Sequence, residues 1–95
     1  MRTPDYTNQF KRDYKRVKKG QHRATLDADL RAVLLSLLDD QPLAPRHCDH
    51  ALTGDWKDFR DCHIKPDLIL IYKKVDGQNA ALQLVRLGSH SELDL

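Results

Sequence analysis

Residues 56–75 read WKDFRDCHIKPDLILIYKKV, and the run Leu68–Tyr72 inside them decides the fold. An unbroken apolar run of this length, bounded by Pro66-Asp67 and Lys73-Lys74, is the pattern of a strand covered by its neighbours near the centre of a sheet. Pro66 holds the residue before it extended, so the chain enters the run through a turn with Asp67 at its mouth. Upstream, Trp56–Ile64 is strand-like without clean alternation. Extended, it puts Phe59, Asp61 and His63 on one face, and Arg60 and Cys62 on the other. Downstream, Val75-Asp76-Gly77-Gln78 is a hairpin turn, since Asp-Gly suits positions of positive φ. Ala80–Leu87 returns as the partner strand, and Gly88 breaks it just before His90.

The N-terminal half has helical spacing instead. After a short edge strand within Met1–Tyr6, Phe10, Tyr14 and Val17 fall at i, i+4 and i+7, with Thr7 as N-cap and Gly20 as the stop. Leu26, Leu30, Val33, Leu34, Leu37 and Leu38 form the wider stripe of a second helix. Thr25 or Asp27 caps its start, and Asp39-Asp40-Gln41-Pro42 ends it. Pro42–Asp55 reads as a connection with a short extended piece at His50–Leu52. The order (β)-α-α-β-β-β gives an α+β fold in one domain, residues 1–95: an N-terminal helix pair packed on a small antiparallel β-sheet, whose other face is left for function.

The 95 residues are 40% hydrophobic and 32% charged, as in an ordinary soluble domain. No stretch approaches the roughly 18–20 apolar residues of a membrane span. The opening MRTPDYTNQF has no apolar leader, so a cytoplasmic protein without membrane partners is expected, with Cys48 and Cys62 as reduced thiols. The net charge of +2 hides an asymmetry, because Met1–Arg23 holds eight basic residues against two acidic ones. Such a face suits a polyanion or an acidic partner, or is simply a solvated helix surface.

The chemistry concentrates between His50 and Asp67. An antiparallel meander brings the end of the last strand beside the start of Leu68–Tyr72, and so carries Arg86 and His90 towards Asp67 and His63. Imidazoles titrate near neutrality, so a pair can supply one base and one acid. Adjacent carboxylates orient them, and an arginine can stabilise charge developing on phosphorus. Those parts suffice to cleave RNA, whose own 2′-hydroxyl is the nucleophile, without cofactor or metal. His47, Cys48, His50, Cys62, His63 and His90 are potential zinc ligands, but they lack the C-x₂-C and H-x₃₋₅-H spacings of zinc sites.

The segment DHALTGDWKDFRDCHIKPDLILIYKK (49–74), followed by LVRLGSH (84–90), resembles the YafQ branch of the RelE-type toxins, bacterial mRNA interferases of toxin–antitoxin pairs. The resemblance implies a microbial RNase fold acting on mRNA in the ribosomal A site. It implies catalytic roles for His50, Asp61, His63, Asp67 and His90, with His90 as proton donor to the leaving 5′-oxygen and a base drawn from His50, His63 and Asp67. Arg86 is expected on the scissile phosphate. Arg60 is expected to serve either charge stabilisation or sheet packing. Lys15, Lys18 and Lys19 belong to the basic face expected to dock on ribosomal RNA. The implied partners are a cognate antitoxin and the ribosome with its mRNA, with operator DNA bound only in complex with the antitoxin. The family's aromatic four residues after the last histidine is replaced here by Asp94, which bears on base stacking. Two other readings stay open: a ParE-like toxin that binds DNA gyrase and would not need His50, His63 and His90 together, and a zinc-binding regulatory module.

Overall fold

The computed structural model describes Met1–Leu95. The chain forms β1 (Thr3–Tyr6), α1 (Asn8–Lys18), α2 (Leu26–Leu38), β2 (His50–Ala51), β3 (Arg60–Lys65), β4 (Leu68–Val75) and β5 (Ala81–Gly88). The sheet order is β1-β5-β4-β3-β2, with the apolar run of β4 at its centre. No helix is long and apolar enough to cross a membrane.

Alternation along β4 divides the molecule into two layers. Leu68, Leu70 and Tyr72 face the helices and join Phe10, Val17, Leu26, Leu30, Val33 and Leu37 in the main core. Ile69 and Ile71 face the other way. They are covered by Leu93, which is 3% exposed, and flanked by Leu52, Trp56, Phe59 and Val85. The second face is therefore only partly free for function, because the C-terminal turn folds back over it.

Thr7 caps α1 as expected, accepting a hydrogen bond from the Phe10 amide at 3.0 Å. Neither expected cap operates on α2. The Thr25 side chain makes no capping bond, and Asp27 is instead engaged by Tyr14 and Lys18. Trp56 lies in a short 3-10 turn, Gly54–Trp56, where Gly54 takes φ 65°, so regular pairing of β3 begins only at Arg60.

The sheet is mixed, not purely antiparallel: β1 runs parallel to β5, from Thr3 opposite Ala81 to Tyr6 opposite Leu84. The reason lies in the next few residues. β5 is longer than β1, and α1 takes over the uncovered part of its edge. The Thr7 amide donates to the Leu84 carbonyl (3.1 Å) and the Thr7 hydroxyl to the Val85 carbonyl (2.8 Å). One turn further, Asp13 accepts from the Leu87 amide (3.0 Å), and Arg16 Nη2 donates to the Leu87 carbonyl (3.0 Å). Strand and helix run along β5 in one direction, so β1 must be parallel to it.

Asp13 is 0% exposed and sits on the apolar stripe of α1 between Phe10 and Val17. Besides the Leu87 amide it binds Arg86 Nε (2.7 Å) and Arg16 Nη1 (2.8 Å). Burial alone would raise its carboxyl. The hydrogen bonds from Arg86, the Leu87 amide, Arg16 and Gln9 outweigh that and hold it below the usual carboxylate value of 3.8. A depressed folded-state value contributes stability above the unfolded value, and that stability is lost as the pH falls through the folded one. Asp13→Ala leaves two arginines and a strand amide without their acceptor, and is expected to cost about 3 kcal/mol. Chemical denaturation checks this, and acid titration of Asp13→Asn should lack the part of the low-pH stability loss that Asp13 causes.

Candidate active site

Cross-strand pairing builds the site in two rows on the face opposite the helices. In the first row His50 of β2 pairs with Asp61 of β3, Asp61 with Ile71 of β4, and Ile71 with Arg86 of β5. In the second, His63 pairs with Ile69 and Ile69 with Gly88, two residues before His90. Strands lie about 4.8 Å apart, so Asp61 and Arg86 in the first row, and His63 and Gly88 in the second, stand about two spacings apart across an isoleucine. The parity expected for Asp61 and His63 holds along β3.

His63 and His90 close the second row directly. Their ring centroids are 5.3 Å apart at 68°, edge against face. Asp67, in the two-residue turn between β3 and β4, accepts from His90 Nδ1 (2.7 Å) and from the His90 amide (3.1 Å). These bonds hold the Asp67 carboxyl below its usual value. His63 Nδ1 lies 3.2 Å from the Pro66 carbonyl, and His50 Nδ1 lies 2.7 Å from the Cys48 carbonyl. A carbonyl can only accept, so Nδ1 of both rings carries the proton. No protein hydrogen bond engages Nε2 of His50, His63 or His90. Each imidazole is anchored through Nδ1 and offers Nε2.

Asp61 is the anomaly. It is 3% exposed, and its Oδ1 has no hydrogen-bond donor. His50 Nδ1 is 3.0 Å away, but its proton is directed at the Cys48 carbonyl. Burial pushes the Asp61 carboxyl upward, while the nearby His50, His63 and His90 pull it back only in part. A buried carboxylate with an oxygen free of protein donors, 3.0 Å from an imidazole nitrogen, is a candidate for proton chemistry.

The other expected residues are distributed differently. Arg86 gives Nε and Nη2 to Asp13, so only Nη1 is unengaged, and no hydrogen bond joins it to the histidines. Arg60 pairs with Tyr72 on the helix-facing side and bonds Asp49 at 3.3 Å, while Tyr72 also donates to Asp49. It braces the β3–β4 pair from behind. Lys15 and Lys19 are exposed, whereas Lys18 is tied to Asp27 at 2.5 Å. Asp94 lies on the surface with φ 58°, and its neighbour Leu93 fills the space beneath the sheet. Cys48 is exposed, Cys62 is buried, and they are not bonded to each other.

Sequence reasoning missed Asp13, Arg16, Ser89 and Glu92. Two signals were available: Asp13 is an isolated acid in a basic helix, and Ser89-His90-Ser91-Glu92 has the S-x-x-E spacing of a capping box.

A family model described as "Bacterial toxin of type II toxin-antitoxin system, YafQ" matches residues 2–95. The mRNA interferase toxin YafQ of Escherichia coli (strain K12) is 37% identical over 95 residues, covering 98% of this chain and 96% of that protein. The E. coli DinJ–YafQ complex contains a chain 35% identical, with TM-score 0.81 and 98% of both chains covered. A metal-bound toxin from Helicobacter pylori is 44% identical, with TM-score 0.82 and coverage of 98% and 99%. In the present chain, His, Cys, Asp and Glu side chains do not converge in threes suited to an ion.

The Asp61 environment predicts a trade-off. Its folded-state value lies above the unfolded one, so the ionised group costs stability at neutral pH, and the cost vanishes below the unfolded value of 3.8. Asp61→Asn should raise Tm at about pH 7, with the gain fading by about pH 3. Thermal unfolding across pH checks this. A lower Tm at neutral pH would contradict it.

Proposed function

The chain belongs to the YafQ family of bacterial type II toxin–antitoxin toxins, and from that membership we propose a ribosome-dependent endoribonuclease that cleaves mRNA through the substrate's own 2′-hydroxyl. One observation carries the reading: His63 and His90 face each other at 5.3 Å, each anchored through Nδ1, one to a carbonyl and the other to a carboxylate. The carbonyl takes the Nδ1 proton of His63 and leaves Nε2 to act as base. The carboxylate fixes the His90 ring through Nδ1 and turns its Nε2 to the acid's place.

In the proposed reaction His63 Nε2 takes the proton of the 2′-hydroxyl while that oxygen attacks phosphorus. The P–O5′ bond breaks as His90 Nε2–H protonates the departing oxygen. The products are a 2′,3′-cyclic phosphate and a 5′-hydroxyl. Asp67, expected within the base group, works here through His90: a carboxylate holding two hydrogen bonds and a lowered pKa is a poor base. His50, backed by Asp61, flanks the attacking side. Arg86 presents Nη1 to the charge developing on phosphorus. The nucleophile comes from RNA, so the scheme needs neither metal nor cofactor.

The proposed protein partner is a cognate antitoxin, as DinJ is for YafQ in the E. coli complex. Operator DNA would be bound only by the toxin–antitoxin pair. Lys15 and Lys19, with Lys18 in its Asp27 pair, form the basic face proposed to meet ribosomal RNA in the cytoplasm, through contacts that weaken steeply with salt. Three histidines on one sheet face support a nuclease over a gyrase-binding toxin, which has no use for them together.

His90→Ala should slow cleavage by about 10²–10⁴-fold, the usual worth of a positioned proton donor, with ribosome binding retained. Single-turnover cleavage on programmed ribosomes measures it. Undiminished cleavage would remove His90 from the chemistry.

A further inference from the structure

His90 follows the last strand, in a turn that no regular element holds. The turn carries its own lock. The Ser89 amide donates to Glu92 Oε1 (2.8 Å) and the Glu92 amide to Ser89 Oγ (3.1 Å), a reciprocal cap around His90. The Leu93 amide reaches the Ser89 carbonyl (3.0 Å) and the Leu95 amide the His90 carbonyl (2.9 Å). The second Glu92 oxygen, Oε2, lies 2.9 Å from Arg16 Nε, and Arg16 continues to Asp13 and to the Leu87 carbonyl. A Cβ at Gly88 would come within 3.0 Å of Arg16 Nη2 and 3.1 Å of Glu92 Oε1, so a bare backbone at 88 lets this pair lie across the strand end.

We infer that Glu92 is the positioning residue of His90, transmitting the anchor at Asp13 through Arg16 to the turn that presents the acid. The inference rests on the reading of His90 as proton donor. Magnitudes separate positioning from a stabilising role. Arg16 and Glu92 side chains are each 43% exposed, and exposed ion pairs contribute little to stability. A displacement of about 1 Å at a reacting group, by contrast, can cost about 10²-fold in rate. Asp67 alone does not fix the ring, because Asp67 is itself on an exposed turn. Asp67 holds the imidazole through Nδ1, and Glu92 holds the turn that carries it through the neighbouring Ser89 amide.

The test uses the full chain and mRNA on programmed ribosomes, with either oxygen or sulfur as the bridging 5′ atom of the scissile bond. A thiolate leaves without protonation, so sulfur makes a general acid dispensable. Glu92→Ala is expected to cleave the oxygen substrate about 10–100-fold more slowly and the sulfur substrate at close to the parent rate, as His90→Ala does. Glu92→Gln keeps an oxygen for the Ser89 amide, so it should be slowed less, and it provides the comparison if the alanine variant unfolds. Equal slowing on both substrates, or on neither, overturns the inference while leaving His90 as the acid. Failure of sulfur to rescue His90→Ala overturns the acid assignment itself, and this inference with it.

Discussion

Asp13 places a carboxylate, sealed from water, against the stretch of β5 that no strand covers. An unpaired strand edge invites pairing with another chain, and here a helix side chain supplies the missing acceptor to the Leu87 amide. The same carboxylate holds Arg86 and Arg16 through charge-assisted bonds. Three regions depend on it: the sheet edge, the arginine at the end of the first site row, and the C-terminal turn reached through Arg16 and Glu92. The direction of β1 follows as well, since α1 must arrive over that edge.

Asp61 is the instructive contrast. Both carboxylates are almost inaccessible to solvent. Asp13 is saturated with donors and its pKa falls, while Asp61 has an oxygen with no donor and its pKa rises. Environment, not residue type, sets the difference. The saturated group contributes to folding. The unsaturated one costs folding free energy while it is ionised. The histidines avoid a comparable penalty because each satisfies Nδ1 locally and leaves Nε2 outward.

Period-based features were legible in the chain. The helical stripes, the central apolar strand and the parity of Asp61 and His63 follow from spacings of 3.6 and 2, and the long motif pointed to the family that the comparisons show. What was not legible depends on side chains meeting across the fold. A carboxylate at Asp13 between Phe10 and Val17 looks like a surface residue on a basic helix until the strand amide and two arginines are in place around it. Arg86 reads as a free phosphate ligand, yet its Nε and Nη2 belong to Asp13. Asp67 reads as one member of a base group, yet its carboxylate accepts two hydrogen bonds from His90. The parallel β1 was hidden because no local pattern records the direction of an edge strand.

If paired imidazoles drive attack by the RNA's own 2′-hydroxyl, the chemistry of the new ends records it. mRNA cleaved by the purified protein on ribosomes should be examined by mass spectrometry of both fragments. A 2′,3′-cyclic phosphate, or the 3′-phosphate formed from it, is expected upstream of the cut and a 5′-hydroxyl downstream. A 3′-hydroxyl paired with a 5′-phosphate would mean that water attacked phosphorus, and would rule out the 2′-hydroxyl as nucleophile.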